Sequence, residues 1–84
     1  MLLLIDDIKL NNEEEFTAYI DSVLEDVKIN SFDDFRDFLI ATDKNIELIV
    51  SDYDQIEDKS FAVKAMELFE DASDAKSNIK LTKM

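Results

Sequence analysis

The sequence predicts an α/β protein with a three-stranded parallel sheet and helices packed against it, in the order β-α-α-β-(short α)-α-β. Two short apolar runs, Leu2–Ile5 and Ile46–Val50, and an alternating segment at residues 79–82 have the length and composition of strands. Segments with helical periodicity separate them. Strands separated by helices are expected to run parallel with right-handed crossovers, which predicts this assembly.

The first strand and the first helix are predicted from neighbouring segments. Leu2–Ile5 is a continuous apolar run closed by two aspartates, which is typical of a strand buried on both faces. Asn11-Asn12 followed by three glutamates indicates a helix start, because Asn caps a helix and acids interact favourably with its positive end. Apolar residues then follow the helical period as far as Val27: Phe16, Tyr19, Ile20, Val23, Leu24 and Val27.

The second helix is the segment on which the functional prediction depends. Apolar residues recur there at three- and four-residue spacing and predict one apolar face: Phe32, Phe35, Phe38 and Leu39. Ser31 is predicted to cap the amino end, and Asp34 to reach back as in a capping box, which makes Asp34 structural. Asp33 and Asp37, one turn apart with Arg36 between them, fall on a different face. The helix is therefore expected to present these carboxylates outward.

The last third of the chain predicts another helix and an edge strand. Residues 51–58 are polar and are expected to hold a short turn of helix. Ser60 is predicted to cap the last helix, whose buried stripe consists of Ala62, Ala65, Met66, Phe69 and Ala72. Lysines in the final strand discourage pairing with other sheet edges.

Length and composition predict one domain, residues 1–84, that folds by itself. Hydrophobic residues make up 46% of the chain, which is enough for a core despite a net charge of −12. No apolar run approaches the ~20 residues that span a bilayer, and the first residues do not form a signal peptide. The absence of cysteine suits a reducing compartment. We therefore expect a cytoplasmic protein that does not interact with membranes and is monomeric when free.

Missing residue types argue against most enzymes. The chain has no His and no Cys, so it lacks an imidazole base, a thiolate nucleophile and a His/Cys zinc site. It has no Gly, so it lacks a phosphate-binding loop. The acidic segment from Asp52 to Asp58 lacks the Gly and the final Glu of an EF-hand calcium loop. We predict a protein that is not an enzyme and has no cofactor and no metal.

The acidic character predicts the kind of partner. A net charge of −12 argues against direct binding of nucleic acid, which depends on Lys and Arg at phosphates. It favours basic partners, and proteins that handle nucleic acids are the commonest of these. An acidic domain can occupy the sites where phosphates would bind. The alternative is that the charge only keeps the protein soluble.

The order of elements and the residues together resemble the barstar family, small intracellular inhibitors of secreted ribonucleases. The opening Leu-Leu-Leu-Ile-Asp-Asp-Ile is similar to that family's first strand and turn. Residues 30–39, Asn-Ser-Phe-Asp-Asp-Phe-Arg-Asp-Phe-Leu, are similar to its inhibitory second helix. The resemblance covers nearly the whole chain as a pattern. Its most specific feature is the spacing of Phe32, Asp33 and Asp37.

The resemblance implies a function and a set of partner-binding residues. Asp33 and Asp37 fall where the family places two binding carboxylates, and Asp71 falls where it places a third. Arg36 stands at the position of the family's helix tryptophan. In the family, the acid equivalent to Asp37 enters the ribonuclease active site and occupies the place of an RNA phosphate. The resemblance thus implies an immunity protein that inhibits a basic ribonuclease, or a related nuclease toxin.

Two other functions are consistent with the same composition. The first is an acidic mimic of nucleic acid that blocks a DNA-binding protein, such as an anti-restriction or anti-CRISPR factor. Such a mimic spreads its acids over a broad surface, so no single aspartate dominates binding. The second is a structural or regulatory subunit in which no carboxylate contributes to binding. An alanine scan distinguishes the three.

Overall fold

Three parallel strands form the sheet, which confirms the predicted architecture. The computed structural model describes all 84 residues. Its strands are β1 (Leu2–Ile5), β2 (Ile46–Val50) and β3 (Ile79–Lys83). They lie in the order β1-β2-β3, so β2 is central and pairs with both neighbours.

Helices fill both connections between the strands. Between β1 and β2 the chain forms α1 (Glu13–Val23) and α2 (Phe32–Ala41), and between β2 and β3 it forms α3 (Ser60–Ala75). A single 3₁₀ turn, Tyr53–Gln55, occupies the segment where a short helical turn is predicted. No helix has both the length and the apolar character that crossing a bilayer requires.

One face of the sheet is uncovered. In β1, Leu3 and Ile5 are buried, whereas Leu2 and Leu4 are 50% and 53% exposed. The prediction that β1 is buried on both faces is therefore wrong. Right-handed crossovers that step in the same direction across a sheet place their helices on the same side. With the strand order β1-β2-β3, all three helices cover one face only.

Phenylalanine rings from all three helices meet in the core. Phe16, in α1, is fully buried. The centroid of its ring lies 5.2 to 5.9 Å from those of four others: Phe32, Phe35, Phe61 and Phe69. Tilted and edge-to-face arrangements such as these are favoured by the charge distribution of aromatic rings. This cluster ties α2 and α3 to α1.

α1 ends earlier than its apolar periodicity predicts. Leu24 is its C-cap residue, and Val27 lies outside the helix, although it still packs against the core. The Asp21 carboxylate accepts hydrogen bonds from the Ile29 backbone N–H at 2.9 Å and from the Lys28 ammonium at 3.2 Å. These bonds hold the loop that follows α1 against the last turns of that helix.

Replacing Asp21 with Asn should reduce the loss of stability in acid. The hydrogen bond from the Ile29 N–H, together with the Lys28 ammonium, lowers the pKa of Asp21 below its ordinary value of 3.8. A carboxylate whose folded-state pKa is lowered stabilises the fold above its unfolded pKa. That stabilisation is lost as the pH falls through the lowered pKa. The amide in the Asp21→Asn variant still accepts a hydrogen bond but does not titrate.

Urea unfolding midpoints at about pH 7 and about pH 3 measure this effect. The wild type should be the more stable of the two proteins at the higher pH, and the difference should narrow at the lower pH. The control is Glu25→Gln, which changes an exposed acid in the same loop that makes no hydrogen bond and no ion pair. A difference between wild type and Asp21→Asn that stays constant with pH would contradict the prediction.

Asp58 caps α3 in place of Ser60. Ser60 is the first helical residue, and Lys59, the N-cap residue, provides no side-chain cap. The Asp58 carboxylate accepts hydrogen bonds from the Ser60 hydroxyl and from the Ser60 backbone N–H, the latter at 3.0 Å. The predicted capping role of Ser60 is wrong because its hydroxyl donates to the nearby carboxylate instead of accepting a hydrogen bond from a later N–H of the helix. The same two bonds, the hydroxyl first, lower the pKa of Asp58.

Candidate partner-binding surface

The amino end of α2 is capped by local side chains. Ser31 is the N-cap residue, and its hydroxyl accepts a hydrogen bond from the Asp34 N–H at 3.3 Å. The Asp34 carboxylate reaches back and accepts a hydrogen bond from the Asn30 N–H at 2.9 Å, one residue before the cap. Asp34 therefore has the structural role predicted for it, with a partner one residue earlier than in a capping box.

A carboxylate from α1 also closes the amino end of α2. Oε2 of Glu13 accepts a hydrogen bond from the Phe32 backbone N–H at 2.9 Å, across 19 residues of sequence. Glu13 also lies in the first turn of α1, so its charge is favourable at the amino ends of two helices. The sequence predicts the role of Glu13 in the first turn of α1. It does not predict the contact with α2, because it does not indicate which helix lies beside Glu13.

The carboxyl end of α2 is closed by Lys76, the residue that follows α3. Its ammonium donates hydrogen bonds to the carbonyl oxygens of Leu39 at 2.9 Å, Ile40 at 2.8 Å and Thr42 at 2.7 Å. The Asn78 amide adds a bond to the Thr42 carbonyl at 3.0 Å. The last carbonyls of a helix lack internal partners and carry partial negative charge, so one ammonium satisfies several of them. The sequence does not predict this contact, because the lysine is distant from α2 along the chain.

Replacing Lys76 with Met should lower the free energy of unfolding by about 2–3 kcal/mol, since hydrogen bonds to charged groups contribute about 1.5–3 kcal/mol. Methionine keeps an unbranched stem but has no donor for the carbonyls of α2. Urea unfolding followed by circular dichroism measures the change. The control is Lys80→Met, because Lys80 is exposed and makes no hydrogen bond or ion pair. Similar losses in the two variants would show that the contact is not stabilising.

Asp33, Arg36 and Asp37 lie together on the exposed face of α2. A terminal guanidinium nitrogen of Arg36 is 3.5 Å from an Asp33 carboxylate oxygen, and Nε of Arg36 is 4.0 Å from one of Asp37. The two aspartate side chains are 66% and 75% exposed. Ion pairs this exposed contribute about 0–1 kcal/mol, so a partner can replace either of them at small cost. The helix thus presents an alternation of negative, positive and negative groups.

Asp71 is exposed on α3 and takes part in no ion pair within 4 Å. It follows Lys64 by two helical turns, and the Lys64 ammonium lies 5.2 Å from the centroid of the Phe32 ring in α2. Residues seven apart share a helix face, so Asp71 lies on the flank of α3 that is nearer to α2. Asp71 therefore lies toward α2, and it forms no ion pair with Arg36.

Two aspartates in the acidic segment from Asp52 to Asp58, after β2, have structural roles. Asp52 adopts a left-handed backbone conformation with φ 58°, which aspartate tolerates better than most residues, and it leads into the 3₁₀ turn. Asp58 caps α3. No group of three or more acidic side chains in the protein converges on a point that a metal ion could occupy.

The fold and this surface together define a small α/β protein that presents charged side chains from a helix held at both ends. Comparisons with protein families, with curated proteins and with solved structures found no match to this chain. The function is therefore inferred from the surface and from the resemblance in the sequence.

Proposed function

We propose that this protein is an immunity protein that binds a basic ribonuclease, or a related nuclease toxin, and inhibits it. The observation that carries the proposal is the exposure of Asp33 and Asp37 on a helix whose two ends are tied by Glu13 and Lys76. Charged groups held on a rigid element lose little conformational freedom when they bind. The resemblance to the barstar family supports the same helix as the inhibitory one.

In the proposed complex, Asp37 enters the phosphate-binding site and pairs with Arg, Lys or His side chains that normally hold phosphate. Asp33 and Asp71 add contacts around it. Arg36 lies between the two aspartates of α2 and faces the same partner. The net charge of −12 attracts a basic partner over long range, which speeds association and makes its rate sensitive to salt.

Capture from a lysate of the source organism tests the proposal. Three baits are compared: the wild type, Asp37→Ala and Glu14→Ala. Glu14 is a matched exposed acid on α1, so its variant is the control. A retained protein should degrade RNA or DNA, should be inhibited by added wild type, and should be lost only with the Asp37→Ala bait. Failure to retain any nuclease, or retention of a nuclease equally by all three baits, would contradict the proposal.

A second candidate function is an acidic mimic of nucleic acid that blocks a DNA-binding protein. The observation that favours it is a row of exposed acids on α3, at four- and three-residue spacing: Glu67, Asp71 and Asp74. In a mimic these residues and the aspartates of α2 share the binding energy. Each alanine substitution then weakens binding a little, and the retained protein binds DNA instead of cleaving it.

A further inference from the structure

The uncovered face of the sheet is partly apolar and electrically neutral. Its side chains form two rows across the strands, Leu2–Glu47–Lys80 and Leu4–Ile49–Thr82. Leu2 and Leu4 are half exposed, so the apolar part lies over β1. Glu47 is the only acid in the three strands, and Lys80 beside it balances its charge.

We propose that this face packs against the same face of a second copy and forms a weak, reversible dimer. The charge distribution favours a second copy as the partner of this face. A basic partner is attracted to the acidic helices, which lie on the other side of the sheet. Two copies of a chain with net charge −12 repel each other in every orientation, and they repel least where their neutral faces meet and their helices point away from each other. The proposal does not depend on the proposed function.

Face-to-face packing keeps the helical acids of the two copies apart. Stacked sheets lie about 10 Å from each other, and each helical layer lies beyond its own sheet. The acids on the two outer surfaces are then separated by more than the screening length of about 8 Å at physiological ionic strength. Their mutual repulsion is therefore smaller in this arrangement than in one that brings the helices of the two copies together.

A two-fold axis makes the contact complementary. In such an interface the same patch serves both copies, so residue i contacts j and j contacts i. With the axis perpendicular to the strands, β1 of one copy crosses β1 of the other. Leu2 of each copy then lies against Leu4 of the other. The same operation places Ile49 of each copy beside the apolar contact and opposite Glu47 of the other. The water around these three aliphatic side chains is released, which drives association.

The edge of β1 is less available for association with a second copy than the face of the sheet. The Tyr19 hydroxyl accepts a hydrogen bond from the Leu4 backbone N–H at 2.9 Å, so an edge donor of β1 is already occupied. An added strand would compete with this bond. Association through the face leaves the bond intact.

The size of the face limits the strength of the dimer. Strands about 4.8 Å apart, with residues about 3.3 Å apart along them, give a face of roughly 14 by 16 Å. Two such faces bury much less than the roughly 1,200–2,000 Å² of a stable interface. The sequence alone predicts a monomer; the one-sided sheet leads us to expect a dimer that becomes populated only at high protein concentration.

Sedimentation equilibrium tests the proposal on the wild type between about 10 μM and about 1 mM, the range of weak complexes. The weight-average mass should rise above the monomer mass of 9.7 kDa as concentration increases. More NaCl should strengthen association, because salt screens the net charge. This is the opposite of the salt dependence expected for binding to a basic nuclease.

Two variants locate the interface. Leu4→Lys should weaken association at least about tenfold, because symmetry places the change twice in each dimer. Ile40→Lys, which adds the same charge at a 63% exposed aliphatic side chain on α2, should not weaken it. In the wild type, NMR shifts that change with concentration should map to Leu2, Leu4 and Ile49, which tests the site without any substitution. A mass that stays at 9.7 kDa, or shifts confined to the helices, would overturn the proposal.

Discussion

Replacing Phe16 with Ala should lower the free energy of unfolding by about 3–5 kcal/mol, the range found when a fully buried aromatic ring is removed from a core. Phe16 is fully buried, and its ring contacts those of four other phenylalanines. Removal of the ring leaves a cavity between all three helices. A domain of this length has a total stability of only about 4–13 kcal/mol, so the loss is a large fraction of it.

The control for this change is Phe38→Ala, which removes the same ring at the edge of the core. Phe38 is only partly buried, at the flank of α2, so its loss should cost about 1–2 kcal/mol. Urea unfolding compares the two. If Phe16→Ala does not fold, Phe16→Leu keeps most of the volume and should lose less stability. Equal losses for Phe16→Ala and Phe38→Ala would mean that the ring cluster is not the centre of the core.

If the protein binds a nuclease as proposed, replacing Asp37 with Ala should weaken that binding by about 2–5 kcal/mol, or roughly 30- to 5,000-fold. Truncation of one member of a buried charge pair leaves the other charge without a partner, which explains the size of the effect. The loss should appear mainly as faster dissociation. In the free protein Asp37 is 75% exposed, so the same substitution should change the stability of the fold little.

Glu14→Ala provides the comparison for the binding measurement. Glu14 is an exposed acid in the first turn of α1, outside the proposed contact. Its removal should slow association slightly, through the loss of one attractive charge, and leave dissociation unchanged. Surface plasmon resonance at several salt concentrations separates the two rates. An affinity of Asp37→Ala within about twofold of wild type would refute the proposed role of this carboxylate.

Local sequence patterns determine most of the secondary structure. The buried stripe of α3 is the predicted one, and the Asn12 and Ser31 caps lie where their side chains predict helix starts. These features depend on periodicity and on hydrogen bonds within a few residues, both of which are visible in a single chain. The exposure of Asp33 and Asp37 follows from the same periodicity.

Only the tertiary structure decides how α2 is held and which face of the sheet is open. Glu13 and Lys76 reach α2 across 19 and more than 30 residues, and both resemble ordinary surface charges in the sequence. The exposure of Leu2 and Leu4 depends on strand order, since only neighbours in space determine which side the helices cover. Periodicity thus determined which side chains α2 presents, whereas long-range contacts decided how firmly it presents them, because hydrogen bonds between distant segments form only after the chain has packed.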